Sequence, residues 1–161
     1  MEKIELISTR QFVILCILTF GLYEVWWIYK SWRFFRDKDN LDILPVARTL
    51  FSIFYVYALF EKIQSYSKSV GNTKAFSSIG SFIAILAMNL TGYLPDPFWL
   101  VSFLTFYFFI PAFESLNFAI RYSSAFTVVE SESFNTRQII LMLVGGAFLL
   151  LVLIGLLVPL E

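Results

Sequence analysis

Long apolar stretches separated by short polar segments dominate this chain. Crossing the hydrocarbon of a lipid bilayer as a helix takes roughly 20 mostly apolar residues. Four stretches approach this length, at residues 11–29, 76–94, 98–120 and 139–160. The pattern predicts an all-α fold, a polytopic transmembrane helix bundle of about four spans, in one membrane domain covering residues 1–161.

A fifth apolar stretch is too short to cross a bilayer alone. Residues 49–60 are followed directly by Glu61 and Lys62. Over the wider segment 46–69, polar residues fall near one helical face and aromatic residues mostly on the other. This predicts an amphipathic helix in the membrane interface or a re-entrant helix packed into the bundle. A fifth span is the alternative.

The distribution of Lys and Arg favours the four-span arrangement. Eight of the twelve basic residues lie within 30–75, two in the N-terminal tail and two within 121–137. Four spans place ten of the twelve on one side, whereas a fifth span would divide them seven to five. Because cytoplasmic loops carry the excess of Lys and Arg, we expect residues 30–75 in the cytoplasm and both termini outside.

An aromatic and basic girdle follows the first apolar stretch. Indole and phenol rings prefer the headgroup level of a membrane, and cations prefer its cytoplasmic face. The sequence therefore predicts that these residues form an interfacial belt. Its members are Trp26, Trp27, Tyr29, Lys30, Trp32 and Arg33.

Composition supports a membrane location and excludes several kinds of chemistry. The chain is 58% hydrophobic, against roughly 45–50% for a soluble domain. It has no His and one cysteine, Cys16, which excludes an intrachain disulfide and the usual His and Cys metal sites. The formal net charge is zero, so nothing indicates nucleic-acid binding. With no phosphate-binding or hydrolase motif present, we expect neither an enzyme nor a cofactor.

Polar residues within the predicted spans are the candidates for chemistry. Ionisable groups inside a membrane are rare and usually face a bundle interior or water. They could form a structural ion-pair cluster, with Glu24 paired to Arg48, Lys62 or Arg121. They could instead form an ion site or a proton relay. The candidate intramembrane polar site consists of Glu24, Glu114, Asn117, Arg121 and Arg48.

Two further features concern how the helices pack. The second span carries a face of small residues, Gly80, Ser81, Ala84 and Ala87, which lets a neighbouring helix approach closely. This face could serve the fold of one chain or seat a second subunit. In the third span, Pro111 removes a backbone hydrogen bond and predicts a kink.

Residues 19–36, TFGLYEVWWIYKSWRFFR, resemble the signature of a bacterial family of small integral membrane proteins whose function is unknown. The approximate family pattern is T-x-G-[IL]-Y-x-x-Y-W-x-Y-x-x-W. Trp26 stands where the family usually has Tyr. The resemblance implies a bacterial inner-membrane location and brings no activity with it. The matching residues are Thr19, Gly21, Leu22, Tyr23, Trp27, Tyr29 and Trp32.

These observations favour a non-enzymatic membrane protein that acts by self-assembly or by association with other membrane proteins. The alternative is a small oligomeric channel or transporter in which the intramembrane carboxylates line a path. The expected partners are the lipid bilayer and further membrane-protein chains.

Overall fold

The computed structural model describes residues 2–74, 76–124 and 126–157. These residues form mostly helix, which confirms the all-α prediction at that level. A small sheet of two strands is the unpredicted addition. In chain order the elements are β1 (Glu2–Leu6), α1 (Thr9–Leu18), α2 (Leu22–Asp39), α3 (Pro45–Leu50), α4 (Ser52–Ser69), α5 (Ser78–Thr91), a 3-10 helix (Phe98–Phe109), α6 (Ile110–Tyr122), β2 (Phe126–Glu130) and α7 (Thr136–Leu157).

The first predicted span is a helical hairpin and not one continuous helix. The chain breaks at residues 19–21, where Phe20 and Gly21 have φ angles of 52° and 76°. Positive φ is strained for most side chains and easy for glycine. Beyond the turn α2 runs back along α1, so that Phe12 meets the ring of Trp27 with centroids 6.0 Å apart. The prediction of a span over residues 11–29 is therefore wrong.

The hydroxyl of Thr19 joins the two helices of this hairpin. It donates a hydrogen bond to the carbonyl of Leu15 at 2.7 Å and accepts one from the amide of Tyr23 at 3.0 Å. One side chain thus satisfies an amide at the start of α2, which a helix terminus otherwise leaves unpaired, and adds a second hydrogen bond to the carbonyl of Leu15, which also accepts from the backbone amide of Thr19. Since Thr19 is buried, water could not replace it.

The segment predicted as one amphipathic helix forms two helices that meet at Phe51. α4 is amphipathic, and it buries Val56, Leu59, Phe60 and Ile63 at the spacing of one helical face. Phe60 packs edge-on against Phe109 at the end of the 3-10 helix, with centroids 5.5 Å apart. Neither α3 nor α4 is among the helices long and apolar enough to cross a membrane within the described residues.

Two helical segments are long and apolar enough to cross a membrane, Phe98–Tyr122 and Thr136–Leu156. The prediction of about four such helices is therefore wrong. The first predicted span, residues 11–29, is broken at residues 19–21. The helix of the second predicted span, α5, has 14 residues, which is about 21 Å of helix. In Phe98–Tyr122 the 3-10 helix gives way to α6 at Ile110, beside the predicted kink at Pro111. Residues 158–160 of the predicted fourth span lie outside the described residues.

Strands β1 and β2 pair in parallel, from Glu2 opposite Phe126 to Leu6 opposite Glu130. This sheet joins the N-terminal tail to residues 121–137. The four-span arrangement placed these two segments on opposite sides of the membrane. Because paired strands must lie on the same side, the pairing contradicts that part of the predicted topology.

The predicted belt is divided between the core and the surface. Trp32 is fully buried and Trp27 is nearly so, whereas 51% of Trp26 is exposed. The two basic members, Lys30 and Arg33, are exposed, and Tyr29 is half-buried. Trp27 lies in the core because the hairpin presses α2 against α1 and α6, where it packs tilted against Phe113 with centroids 6.1 Å apart. The prediction of an interfacial belt is thus wrong for Trp27 and Trp32.

Helix α7 packs on the tip of the hairpin. A Cβ atom at Gly145 would lie only 2.0 Å from the carbonyl oxygen of Leu18, so this contact requires glycine. Phe20 packs edge-on against Phe148 of α7, with centroids 5.4 Å apart. The most apolar window of α7 has no fully buried residue. A stripe that includes Leu141, Met142 and Leu149 is half-buried, and the rest of its apolar surface faces outward.

Candidate functional site

An open groove of about 730 Å³ lies beside the N-terminus of α1. One wall is α6, and the other consists of residues 71–74 and Phe76, which lie between α4 and α5. Its volume falls within the roughly 300–1,000 Å³ of small-molecule sites. The polar and charged side chains that define its chemistry are those of Thr9, Asn72, Lys74, Glu114, Asn117 and Arg121.

Hydrogen bonds from α6 hold the wall of the groove to the N-terminus of α1. The hydroxyl of Thr9 donates to Oε1 of Glu114 at 3.1 Å. One turn further along α6, the Asn117 side-chain amide donates to the carbonyl of Ile7 at 3.0 Å. Residues three apart on a helix share a face, and both of these side chains use that face to reach the chain around Ser8.

The opposite wall is held to α4 by side-chain amides. Asn72 donates from Nδ2 to the hydroxyl of Ser67 at 2.6 Å, and its Oδ1 accepts from the backbone amide of Lys74 at 2.9 Å. Gln64 donates to the carbonyl of Phe76. Both walls are therefore held in position without a ligand, which lowers the entropic cost of binding one.

The groove presents charges of both signs. Lys74 is exposed, and its ammonium group has no ion-pair partner within the part of the chain that the structure describes. Arg121 pairs through Nη2 with Glu130 of β2 at 2.9 Å, and among the described residues its other guanidinium nitrogens have no ion-pair partner. Glu114 is exposed and supplies the negative charge.

Glu24 lies apart from this groove. It is the third residue of α2, only 8% of it is exposed, and its carboxylate lies at the N-terminal end of that helix. A Cβ atom at Gly21 would be 3.4 Å from its Oε1. The positive end of the helix dipole favours a carboxylate at this position, so the turn of the hairpin itself accounts for an acidic residue here.

The cations that were predicted to pair with Glu24 have other partners. Arg48 stacks over Trp32 and Tyr55, 4.4 and 5.2 Å from the ring centroids. Lys62 pairs with Asp39 at 2.9 Å, and Arg121 pairs with Glu130. The predicted ion pairs of Glu24 are therefore wrong. The hairpin is the reason, because it turns Glu24 toward α1.

The structure thus brings three of the five predicted polar residues into one groove, Glu114, Asn117 and Arg121. Glu24 and Arg48 are not among its lining residues. A path lined by both carboxylates is therefore not assembled within one chain, and the channel or transporter alternative stays a prediction. Sequence reasoning missed Thr9, Asn72 and Lys74, since nothing in their local pattern indicates that they face α6.

Metal chemistry has no evident site in the described residues, where no three His, Cys, Asp or Glu side chains cluster. No protein-family model, no curated protein and no solved structure matches the chain. The resemblance of residues 19–36 to a membrane-protein family therefore stays a prediction. The function of the groove is inferred from its geometry.

Proposed function

We propose that this chain is a non-enzymatic integral membrane protein of the bacterial inner membrane, and that it acts by assembling with a second copy of itself. Two segments long and apolar enough to cross a membrane, Phe98–Tyr122 and Thr136–Leu156, support the membrane location. The outward-facing apolar surface of α7 supports it further, because in water such a surface would lack any cover.

The orientation we propose follows from the hairpin and the sheet. The hairpin formed by α1 and the first part of α2 enters the membrane and returns to the same side. The 14-residue α5, lengthened by its flanking residues 76–77 and 92–94, carries the chain out, Phe98–Tyr122 carries it back, and α7 crosses once. The N-terminal tail then shares a side with residues 30–75 and 121–137. These three segments contain all twelve Lys and Arg residues, so the positive-inside rule places all three in the cytoplasm. In this arrangement the N-terminus is inside and the C-terminus outside.

The outward face of α5 is the observation that supports self-assembly. Gly80 and Ala87 are exposed, and packing within the chain leaves them uncovered. Ser81 and Ala84 are half-buried, and Ser81 lies on the face that α5 turns inward with Ser78 and Ile85. Small residues two turns apart on a lipid-facing helix allow two backbones to approach closely.

Substitution on this face tests the proposal. Ala87→Leu should weaken the dimer about tenfold, about 1.4 kcal/mol, because the larger side chain holds the two helices apart. The fraction of dimer would be measured by single-molecule photobleaching of the labelled full chain at a series of protein-to-lipid ratios in liposomes. Ala147→Leu on the exposed surface of α7 is the matched control and should leave the dimer unchanged. A monomeric wild-type chain, or equal dimer fractions in both variants, would contradict self-assembly through α5.

A further inference from the structure

We propose that the groove between α1, α6 and residues 71–74 binds a phosphate ester that carries a primary ammonium group, the headgroup of a phosphatidylethanolamine lipid. This inference rests on the proposed membrane location and is independent of self-assembly. It uses charged side chains from two segments of the chain, together with the N-terminus of α1, which the fold brings to one groove.

The phosphate of such a headgroup matches the two cations of the groove. Lys74 offers an ammonium group with no ion-pair partner in the described residues, and Arg121 offers the guanidinium nitrogens that Glu130 does not engage. Charge-assisted hydrogen bonds from Lys and Arg are strong contacts to phosphate oxygens. The N-terminus of α1, which begins at Thr9 in the same groove, adds the positive end of a helix dipole.

The ammonium group of the headgroup matches Glu114. Its Oε1 accepts from Thr9, while Oε2 has no hydrogen-bond partner among the described residues and faces no competing cation in an ion pair. A primary ammonium can donate to this oxygen, and a quaternary ammonium cannot. A headgroup without a cation would leave the carboxylate beside the phosphate, so Glu114 selects against purely anionic lipids.

The apolar part of the groove fits the glycerol and acyl portion of a lipid. Phe76, Pro111 and Phe118 line it together with the polar residues. Phe76 lies just before α5, and Pro111 lies where the 3-10 helix gives way to α6. In the proposed orientation, α5 and the 3-10 helix both extend from these residues into the membrane. A lipid with its headgroup in the groove would therefore extend its chains along them.

Native mass spectrometry of the purified full chain in detergent tests this inference. The chain would be mixed with dioleoyl lipids that differ only in headgroup: ethanolamine, choline or glycerol. Phosphatidylethanolamine should be retained at least about tenfold more than the other two, a difference of about 1.4 kcal/mol. Soluble glycerophosphoethanolamine is the fourth arm. If the chain bound glycerophosphoethanolamine as tightly as phosphatidylethanolamine, the proposal that the ligand is a lipid would be overturned.

Two variants separate the two ends of the headgroup. Lys74→Gln should reduce retention of the ethanolamine and glycerol lipids alike, because both use the phosphate contact. Glu114→Gln should abolish the preference for ethanolamine over glycerol. The glutamine keeps an oxygen that can accept from Thr9, so the wall of the groove is preserved.

Lys68→Gln removes an exposed cation from the last turn of α4, outside the groove, and should change nothing. Equal retention of all three lipids by the wild-type chain would overturn the proposal, as would a preference that survives Glu114→Gln. Neither result would bear on the α5 dimer, whose test uses Ala87.

Discussion

Lys38 and Lys62 both donate hydrogen bonds to the carboxylate of Asp39, at 2.7 and 2.9 Å. Partial burial opposes ionisation of this carboxyl, but the two lysines outweigh it and hold the pKa of Asp39 below its usual value. The pKa of this carboxyl is therefore lower in the folded chain than in the unfolded chain. Such a carboxyl stabilises the fold at any pH at which it is ionised in both states. That contribution is lost as the pH falls through the folded-state pKa.

Asp39→Asn should therefore destabilise the chain at pH 7 by about 0.5–1 kcal/mol, the range of a partly exposed ion pair. The difference from wild type should shrink as the pH falls below about 4, the ordinary range of an Asp carboxyl. This stability difference would be measured by thermal unfolding of both chains in detergent at several pH values, with tryptophan fluorescence as the signal. Asp42→Asn, at an exposed position nearby, is the control. A difference that grows toward low pH would contradict this account of Asp39.

At the scale of elements, the contact between the hairpin tip and α7 depends on one glycine. The carbonyl of Leu18 occupies the space where a Cβ atom at Gly145 would lie, whereas the neighbouring Gly146 has nothing within 4 Å of its own Cβ position. The two residues share the same helix and the same intrinsic helix propensity, so they differ only in what they touch.

Gly145→Ala should lower the stability of the chain by about 1–3 kcal/mol, the usual cost of overpacking, because backbone atoms must move apart. Gly146→Ala should be neutral or stabilise by up to about 1 kcal/mol, since alanine is the better helix former. Thermal unfolding midpoints of the two variants in the same detergent provide the comparison. Equal midpoints would show that α7 does not rest on the hairpin tip.

At the scale of the whole molecule, the orientation that we propose has every Lys and Arg on one side of the membrane. The predicted four-span arrangement left Lys3 and Arg10 outside with the N-terminal tail. The two topologies agree on Thr73, which both place inside, and on Asp96, which both place outside. They disagree on Lys3, which makes that position diagnostic.

Cysteine accessibility in oriented membrane vesicles separates the two topologies. In a Cys16→Ala background, Lys3→Cys should react with a membrane-impermeant maleimide only from the cytoplasmic side, as should Thr73→Cys. Asp96→Cys should react only from the opposite side. All three positions are exposed. Labelling of Lys3→Cys from the same side as Asp96→Cys would restore the four-span arrangement.

Sequence alone determined where the apolar segments lie, that they are helical and that α4 is amphipathic. These properties depend on the residue types and their spacing along a single segment, which is what hydropathy and helical periodicity report. It also pointed to Glu114, Asn117 and Arg121 as one group, since residues three to four apart on a helix share a face.

Only the tertiary structure decided that residues 9–39 form a hairpin and that β1 pairs with β2. The turn at residues 19–21 is held partly by distant contacts, above all the approach of Leu18 to Gly145, and no local pattern contains that information. The groove has the same origin, because Thr9 and Lys74 line it together with Glu114, from which they are 105 and 40 positions away along the chain. Apolar length fixes what a segment can bury, whereas long-range packing fixes whether it crosses or turns back.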